Sequence, residues 1–455
     1  MASPLNLSKQ FKQEIDDILG SAEPGTLVIH CSFKSRSNPT FFLEVRIIEE
    51  MHIRQDFVSE YCDITTLALR LKPEEYMELY DNSQGLFCNV QLYKSSAESQ
   101  QKGDPIGTIS DIGTHKKSSP INLGPKMVII KDRHDLRRKY SPGLLVPTEN
   151  QSESEHHQAN SIYTELELID QEAYYARKVK FNSILRDVTI EDTLLLVVKM
   201  LGFDKAYIYP PDNKKKYTNL VIPPMLGVNS IFKYLQEARP FGIYNEGLAY
   251  YITNGSIFIY PAYKTDIKSP YTMNIYNLGE NQYIGLEGYH ITKGLDYFIV
   301  SNTGSDVKSL LYEHLENHGS SYLLHDNDYI LDRFIVAKER EFDISKNSIV
   351  NVSLATVEGM VKDAYTPTFV AKGNVFSSRS MLAVANTSLV AIGWTHAVPY
   401  SCRPGTKFNF ICDTEKGPKV YTGQCAKIIY SIYPVNAVGK KLYTCSSNMK
   451  LITVN

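Results

Sequence analysis

His314-Leu315-Glu316-Asn317-His318 sets two histidines four residues apart, which would place both imidazoles on one helix face at a spacing able to hold zinc. A helical metalloprotease site needs glutamate directly after the first histidine, and Leu315 stands there instead. Near a helix C-terminus both rings also interact favourably with the helix dipole, which is the plainer reading. His156-His157 lies beside Glu153 and Glu155 in a Ser-containing polar stretch and reads as a solvated loop. The basic runs Lys214-Lys215-Lys216 and Lys131 to Lys139 could meet phosphate. Asp132 and Asp135 dilute the second run, and Asp212 and Asn213 mark the first as a turn tip, so both read as solvated surface. No G-x-S-x-G elbow, P-loop or G-x-G-x-x-G after a strand occurs, and no carboxylate pair stands out for glycoside hydrolysis. No catalytic, cofactor-binding or metal-ligating residue is therefore nominated, no cofactor is expected, and the chain is read as non-enzymatic.

The thiols point the same way. Cys31, Cys62, Cys88, Cys402, Cys412, Cys425 and Cys445 are odd in number, widely spaced and mostly inside apparent strands, with no C-x-x-C pair among them. They are expected to be buried, reduced side chains in a protein made in a reducing compartment. The chain opens MASPLNLSKQFKQEIDDILG, without an apolar core of signal-peptide length, and no run of about 18 apolar residues suggests a membrane span.

The elements that must position these residues are mostly strands. At 455 residues, the length suggests about three domains. Hydrophobic residues make up 43% and charged residues 22%, enough apolar material for real cores, and a net charge of -2 gives no global field for nucleic acid or membrane. Tyrosine is the outlier, 31 against a single Trp, which suits strands and subunit interfaces.

Residues 8–20 read as a short amphipathic helix. From residue 26 the period becomes two: Leu27, Ile29, Cys31 and Phe33, then Leu43, Val45 and Ile47, then Leu67, Leu69 and Leu71, then Leu86, Cys88, Val90 and Leu92. LKPEEYMELY, at 71–80, is a helical interruption before the last of these strands. Polar segments at 94–120, 131–143 and 151–161 read as loops and connections. A helix is expected over 188–203, with Thr189 as N-cap, Asp192 three residues on and Gly202 as its stop. A second helix is expected after VIPP, capped by Asn229 or Ser230 and ended by Pro240. LAYYITNGSIFIYP, at 248–261, predicts a hairpin turned by Asn254-Gly255. A third helix is expected from about 306 to 318, and the last 80 or so residues return to strands, with Ser401 to Gly405 as a turn.

The fold class expected is β-rich α+β, with two small β-barrel tube domains at the ends and α+β domains between. The division is 1–120 as N-terminal barrel, 121–162 as linker, 163–270 as an α+β domain, 271–375 as a mixed insert region and 376–455 as C-terminal barrel.

Three stretches carry a family resemblance. FVSEYCDITTLALRLKPEEYMELYDNSQGLFCNVQLYK (57–94), the run from ILRDVTIEDTLLLVVKMLGF to SIFIYPAY (184–263) and HAVPYSCRPGTKFNFICDTEKGPKVYTGQCAKIIYSIYP (396–434) resemble the opening barrel, the α+β unit and the closing barrel of the baseplate hub proteins of tailed phages. That family is related to the hub part of type VI secretion spikes. The resemblance implies a homotrimer whose six barrels form a ring adapting the sixfold tail tube to the threefold spike. It further implies partners among tail-tube or distal tail proteins, the central spike and other baseplate proteins. It implies passage of phage DNA without sequence-specific binding, no membrane insertion, assembly in the host cytoplasm and residence in the virion baseplate. The segments 95–160 and 270–375 depart from the family pattern. Two other readings are a carbohydrate-binding or carbohydrate-active tail protein, with Tyr244, Tyr250 and Tyr251 stacking on sugars, and a distal tail adaptor.

Overall fold

A computed structural model describes residues 26–94, 121–130, 162–265, 272–309 and 387–454 apart from internal gaps, with Gln13 and short pieces at 322–324, 368–370 and between 374 and 383. The chain is β-rich and built around one large sheet. Its first part runs β1 (Thr26–Ser35), β2 (Phe42–Val45), β3 (Ile48–Asp56), β4 (Ile64–Leu71), α1 (Pro73–Asp81), β5 (Leu86–Lys94), β6 (Ile121–Ile129) and β7 (Ile162–Asp170). The middle runs α2 (Gln171–Ala176), β8 (Lys180–Thr189), α3 (Ile190–Met200), β9 (Lys205–Ile208), β10 (Lys216–Leu226), α4 (Val228–Glu237), β11 (Leu248–Thr253) and β12 (Ser256–Pro261). The last part holds β13 (Thr272–Asn277), β14 (His290–Lys293), β15 (Asp296–Ser301), β16 (Asp306–Ser309), β17 (Tyr322–Leu324), β18 (Thr368–Val370), β19 (Thr387–Trp394), β20 (Lys407–Thr414), β21 (Gly417–Pro434) and β22 (Tyr443–Val454).

The alternation read from the sequence is the inward face of the sheet. Leu27, Ile29, Cys31 and Phe33 of β1 and Leu86, Cys88, Val90 and Leu92 of β5 are all buried, and the two strands pair antiparallel with Cys31 opposite Val90. The hydrogen-bonded order then runs β5–β6–β7–β4–β3–β21–β22 and returns to β1, where Thr26 and Leu27 face Thr444 and Tyr443. Strands from both ends of the chain therefore share one core, in which Phe33, Met51 and Leu67 lie with Tyr430, Ile432 and Met449.

The long hairpin β21–β22 serves two neighbourhoods. The first half of β21, to Gln424, pairs with β20, and the second half, from Lys427, pairs with β3. The register shifts between Cys425 and Lys427, a bulge that re-aims the strand. Beyond β20 the sheet continues through β13, β15 and β14, and beyond β22 through β19 and β16.

A second core belongs to α2–α4 and β8–β12. Here α3 begins with a reciprocal cap between Thr189 and Asp192, as expected, and buries Ile190, Leu194, Val197 and Val198. The hairpin β11–β12 turns at Asn254 and Gly255, both with positive φ, which a type I′ turn requires. Ser401 to Gly405 is the expected turn, with the Thr406 amide donating to the Arg403 carbonyl just ahead of β20.

Several expectations are corrected. The α4 cap is Gly227, at φ 78, and neither Asn229 nor Ser230, which lie inside the first turn. Only Gly fits there, because a Cβ would meet the Arg177 carbonyl oxygen at 2.7 Å. Asp306–Ser309 is not the start of a helix but a strand paired with β19; the rest of that expected helix lies outside the described residues. Ile121–Ile129, assigned to a linker, is a sheet strand between β5 and β7. The helix expected over 8–20 lies outside the described residues apart from Gln13.

Candidate functional site

The chemistry-bearing groups that the fold brings together are a buried ionic junction at the meeting of the two cores. On strand β6, Leu123, Lys126 and Val128 are buried, the first two separated by Gly124-Pro125, with Lys126 only 1% exposed. Its Nζ donates to Asp170 Oδ1 at 2.9 Å and lies 3.7 Å from Asp63 Oδ2. Asp63 is fully buried immediately before β4, and Asp170 ends β7. Asp170 occupies the N-cap position of α2 but makes no side-chain cap there. Its carboxylate turns inward, where it also accepts the Asn254 amide at 3.1 Å.

The hairpin β11–β12 supplies the remaining donors. Tyr251 and Thr253, two apart on one face of β11, donate to Asp63 Oδ1 at 2.6 Å and Oδ2 at 2.8 Å. Gln55 of β3 donates to Oδ1 at 2.8 Å. The free edge of β11 is covered by residues 61–62: the Ile252 amide donates to the Tyr61 carbonyl at 2.7 Å. Tyr260 donates to the Phe57 carbonyl at 2.7 Å, and Phe57 meets Tyr251 edge to face at 4.9 Å. From the C-terminal side, the Tyr400 ring centroid lies 5.8 Å from Lys126 Nζ, and Gln424 Nε2 donates to the Pro261 and Ala262 carbonyls.

One cation thus serves two carboxylates in a buried setting. Burial pushes the Asp170 carboxyl above its usual range, against the opposing pull of Lys126. Lys126 is held well above the ordinary lysine value, because Tyr400, Asp170 and Asp63 together outweigh the burial that would lower it. Burial and neighbouring Asp63 push the Tyr251 hydroxyl well up, so it remains a donor. The carboxylate oxygens are engaged by these donors and closed to solvent, so the cluster can join parts of the chain but offers no acid or base to a substrate.

The residues singled out from the sequence sit elsewhere. Lys214, Lys215 and Lys216 lead into β10 on the surface, with Lys215 Nζ 5.5 Å from the Tyr217 ring centroid. His156, His157, His314, His318 and the run from Lys131 to Lys139 lie outside the described residues. Tyr244, Tyr250 and Tyr251 are buried, so they form no sugar-stacking surface; their rings fill the second core or face Asp63. Six cysteines are buried and Cys412 is half-buried, all as free thiols, with Cys31 Sγ 3.4 Å from Cys88 Sγ. Among the described residues no group of three His, Cys, Asp or Glu side chains is placed to hold a metal ion. No helix among them is long and apolar enough to cross a membrane.

The junction was missed because its acids and its lysine are far apart in sequence. Lys126 gave no signal of its own, because the step of three from Leu123 across Gly124-Pro125 breaks the period-two pattern that would mark it as inward.

No family model matches the chain, and no curated protein matches it in sequence. Solved structures do resemble it. A tail protein from Neisseria meningitidis MC58 is 10% identical with a TM-score of 0.47, over 93% of this chain and 96% of that one. The 43 kDa tail protein of prophage MuSo2 from Shewanella oneidensis is 10% identical with a TM-score of 0.45, over 93% and 98%. An E. coli component of the type VI secretion system, described as structurally similar to T4 bacteriophage tail proteins gp27 and gp5, is 8% identical with a TM-score of 0.39, over 93% and 77%. The structural neighbours of this chain are thus phage tail proteins and a type VI secretion component.

Proposed function

We propose that the chain is a structural baseplate hub protein of a tailed phage, without enzymatic activity. Three copies form a pseudo-sixfold ring that adapts the tail tube to the central spike and surrounds the DNA channel. One observation carries this reading: strands from both ends of the chain flank the same hairpin, β20 before the bulge and β3 beyond it along β21, with β1 and β19 on successive stretches of β22. Each end then contributes one barrel-like tube domain, within 1–120 and 376–455, and the N-terminal one is completed by β6, β7 and the hairpin. Two such units fixed side by side in each chain allow threefold copies to present six similar faces, and ring closure leaves no strand edge open to solvent. The α+β unit at 163–270, clamped by the ionic junction, holds the outside of the ring. Its partners are tail-tube or distal tail proteins, the spike and neighbouring baseplate proteins, and it resides in the virion after assembly in the host cytoplasm.

The test is mass measurement of the full chain by light scattering, alone and mixed with the tail-tube and spike proteins of the same phage. A trimer, or a trimer formed only with those partners, is expected. A monomer with affinity for neither contradicts the proposal.

A further inference from the structure

We infer that the C-terminal hairpin β21–β22 is the closing element of the N-terminal sheet, so that the two ends of the chain fold and open as one unit. This holds whether or not the chain forms a ring. Residues 51–56 of β3 pair with 432–427 of β21, and Thr26 and Leu27 of β1 pair with Thr444 and Tyr443 of β22. The contact does not stop at the ladder. The Phe57 amide donates to the Ala426 carbonyl at 2.8 Å, inside the bulge, and the Tyr443 hydroxyl donates to the Ile48 carbonyl at 3.2 Å. Lys427 Nζ lies 3.2 Å from Asp56 Oδ2, and His52 Nδ1 lies 3.1 Å from Ser431 Oγ. Tyr430, Ile432, Cys445 and Met449 are buried in the core that the N-terminal strands line.

Remove the hairpin and β3 loses one whole row of backbone partners, while a side of that core opens to water. Strands β1 and β3 therefore wait for a hairpin that lies far later in the chain. A chain without that hairpin keeps a bare edge on β3 and lacks the native N-terminal unit. The coupling reaches further, because β21 also pairs with β20 before the bulge and β22 also pairs with β19 over 447–454.

Native-state hydrogen exchange on the full chain, resolved by peptide in rising denaturant, tests this. Amides of 51–56, 427–432 and 443–450 are expected to merge into one opening isotherm with a common slope. Gly423→Ala provides the second measurement. Gly423 pairs only with Phe408 and Thr453, yet a Cβ there would sit 1.8 Å from the Ile452 carbonyl oxygen. Exchange in 51–56 is expected to rise by the same factor as in 427–432, although the substitution touches no N-terminal residue. Should that variant not fold, Phe408→Leu, on the neighbouring strand β20, serves in its place with the same expectation. Opening of 427–450 that leaves 51–56 protected, in either protein, overturns the inference.

Discussion

Lys126 Nζ and Asp170 Oδ1 meet at 2.9 Å with both side chains buried, joining β6 to the end of β7 beneath the tip of the β11–β12 hairpin. Asp63 completes the group at 3.7 Å, so the single cation is shared by two acids. Removing the cation leaves two carboxylates in a low-dielectric site without their counter-charge. Lys126→Met is expected to cost about 3–5 kcal/mol, read from urea unfolding midpoints. Adding Asp170→Asn should restore part of that loss, since one stranded charge disappears. A double variant no more stable than Lys126→Met would show that the two side chains are not coupled.

The pH response of this cluster has an unusual sign. An ion-paired aspartate ordinarily has a lowered pKa and loses its contribution as pH falls. Burial raises the Asp170 carboxyl instead. Protons then bind the folded state more readily than the unfolded one. The resulting stabilisation is full below the unfolded value, about 3.9, and is lost as pH rises through the folded value. The stability of the natural chain relative to Asp170→Asn should therefore grow between about pH 7 and about pH 4. Lys126, also raised, keeps its contribution throughout this window and loses it only in strong alkali. A relative stability that shrinks on acidification would mean that the ion pair, not burial, dominates at Asp170.

Tyr251 links the hairpin to Asp63 through a 2.6 Å bond. Tyr251→Phe keeps the ring against Phe57 but leaves a buried carboxylate oxygen with one donor fewer. The expected loss is about 1.5–3 kcal/mol, the range for a hydrogen bond to a charged group. Differential scanning calorimetry gives the comparison, and an unchanged melting temperature would remove Tyr251 from the junction.

At the hairpin tip, Gly255 has φ 69 and open space where a Cβ would stand. Gly255→Ala therefore meets only backbone strain, and a loss of about 1–2 kcal/mol is expected. Chemical denaturation measures it, and a larger loss would point to a contact that the open space does not contain.

How much of this was legible in the sequence follows from which forces are local. The cap at Thr189 and Asp192, the turn at Asn254-Gly255 and helix α1 rest on neighbours within four residues, and each is where the residue types put it. Strand β6 was hidden because Gly124-Pro125 breaks its alternation, and the irregularity is absorbed by a register shift opposite it in β5. Asp306–Ser309 carries a helix-start signal that pairing with β19 overrides. The general fold of the ends was readable from period-two strands, but the sharing of β21–β22 was not, because it depends on a bulge at Ala426 and on partners from the far end of the chain. The ionic junction was illegible for the same reason, each member arriving on a different element.

The most direct test of the central claim is imaging of the assembled full-length protein by electron microscopy, with class averages along the ring axis. Three copies per ring showing six similar inner lobes around a central channel is the result expected. A ring of six copies, or particles without a channel, would contradict it.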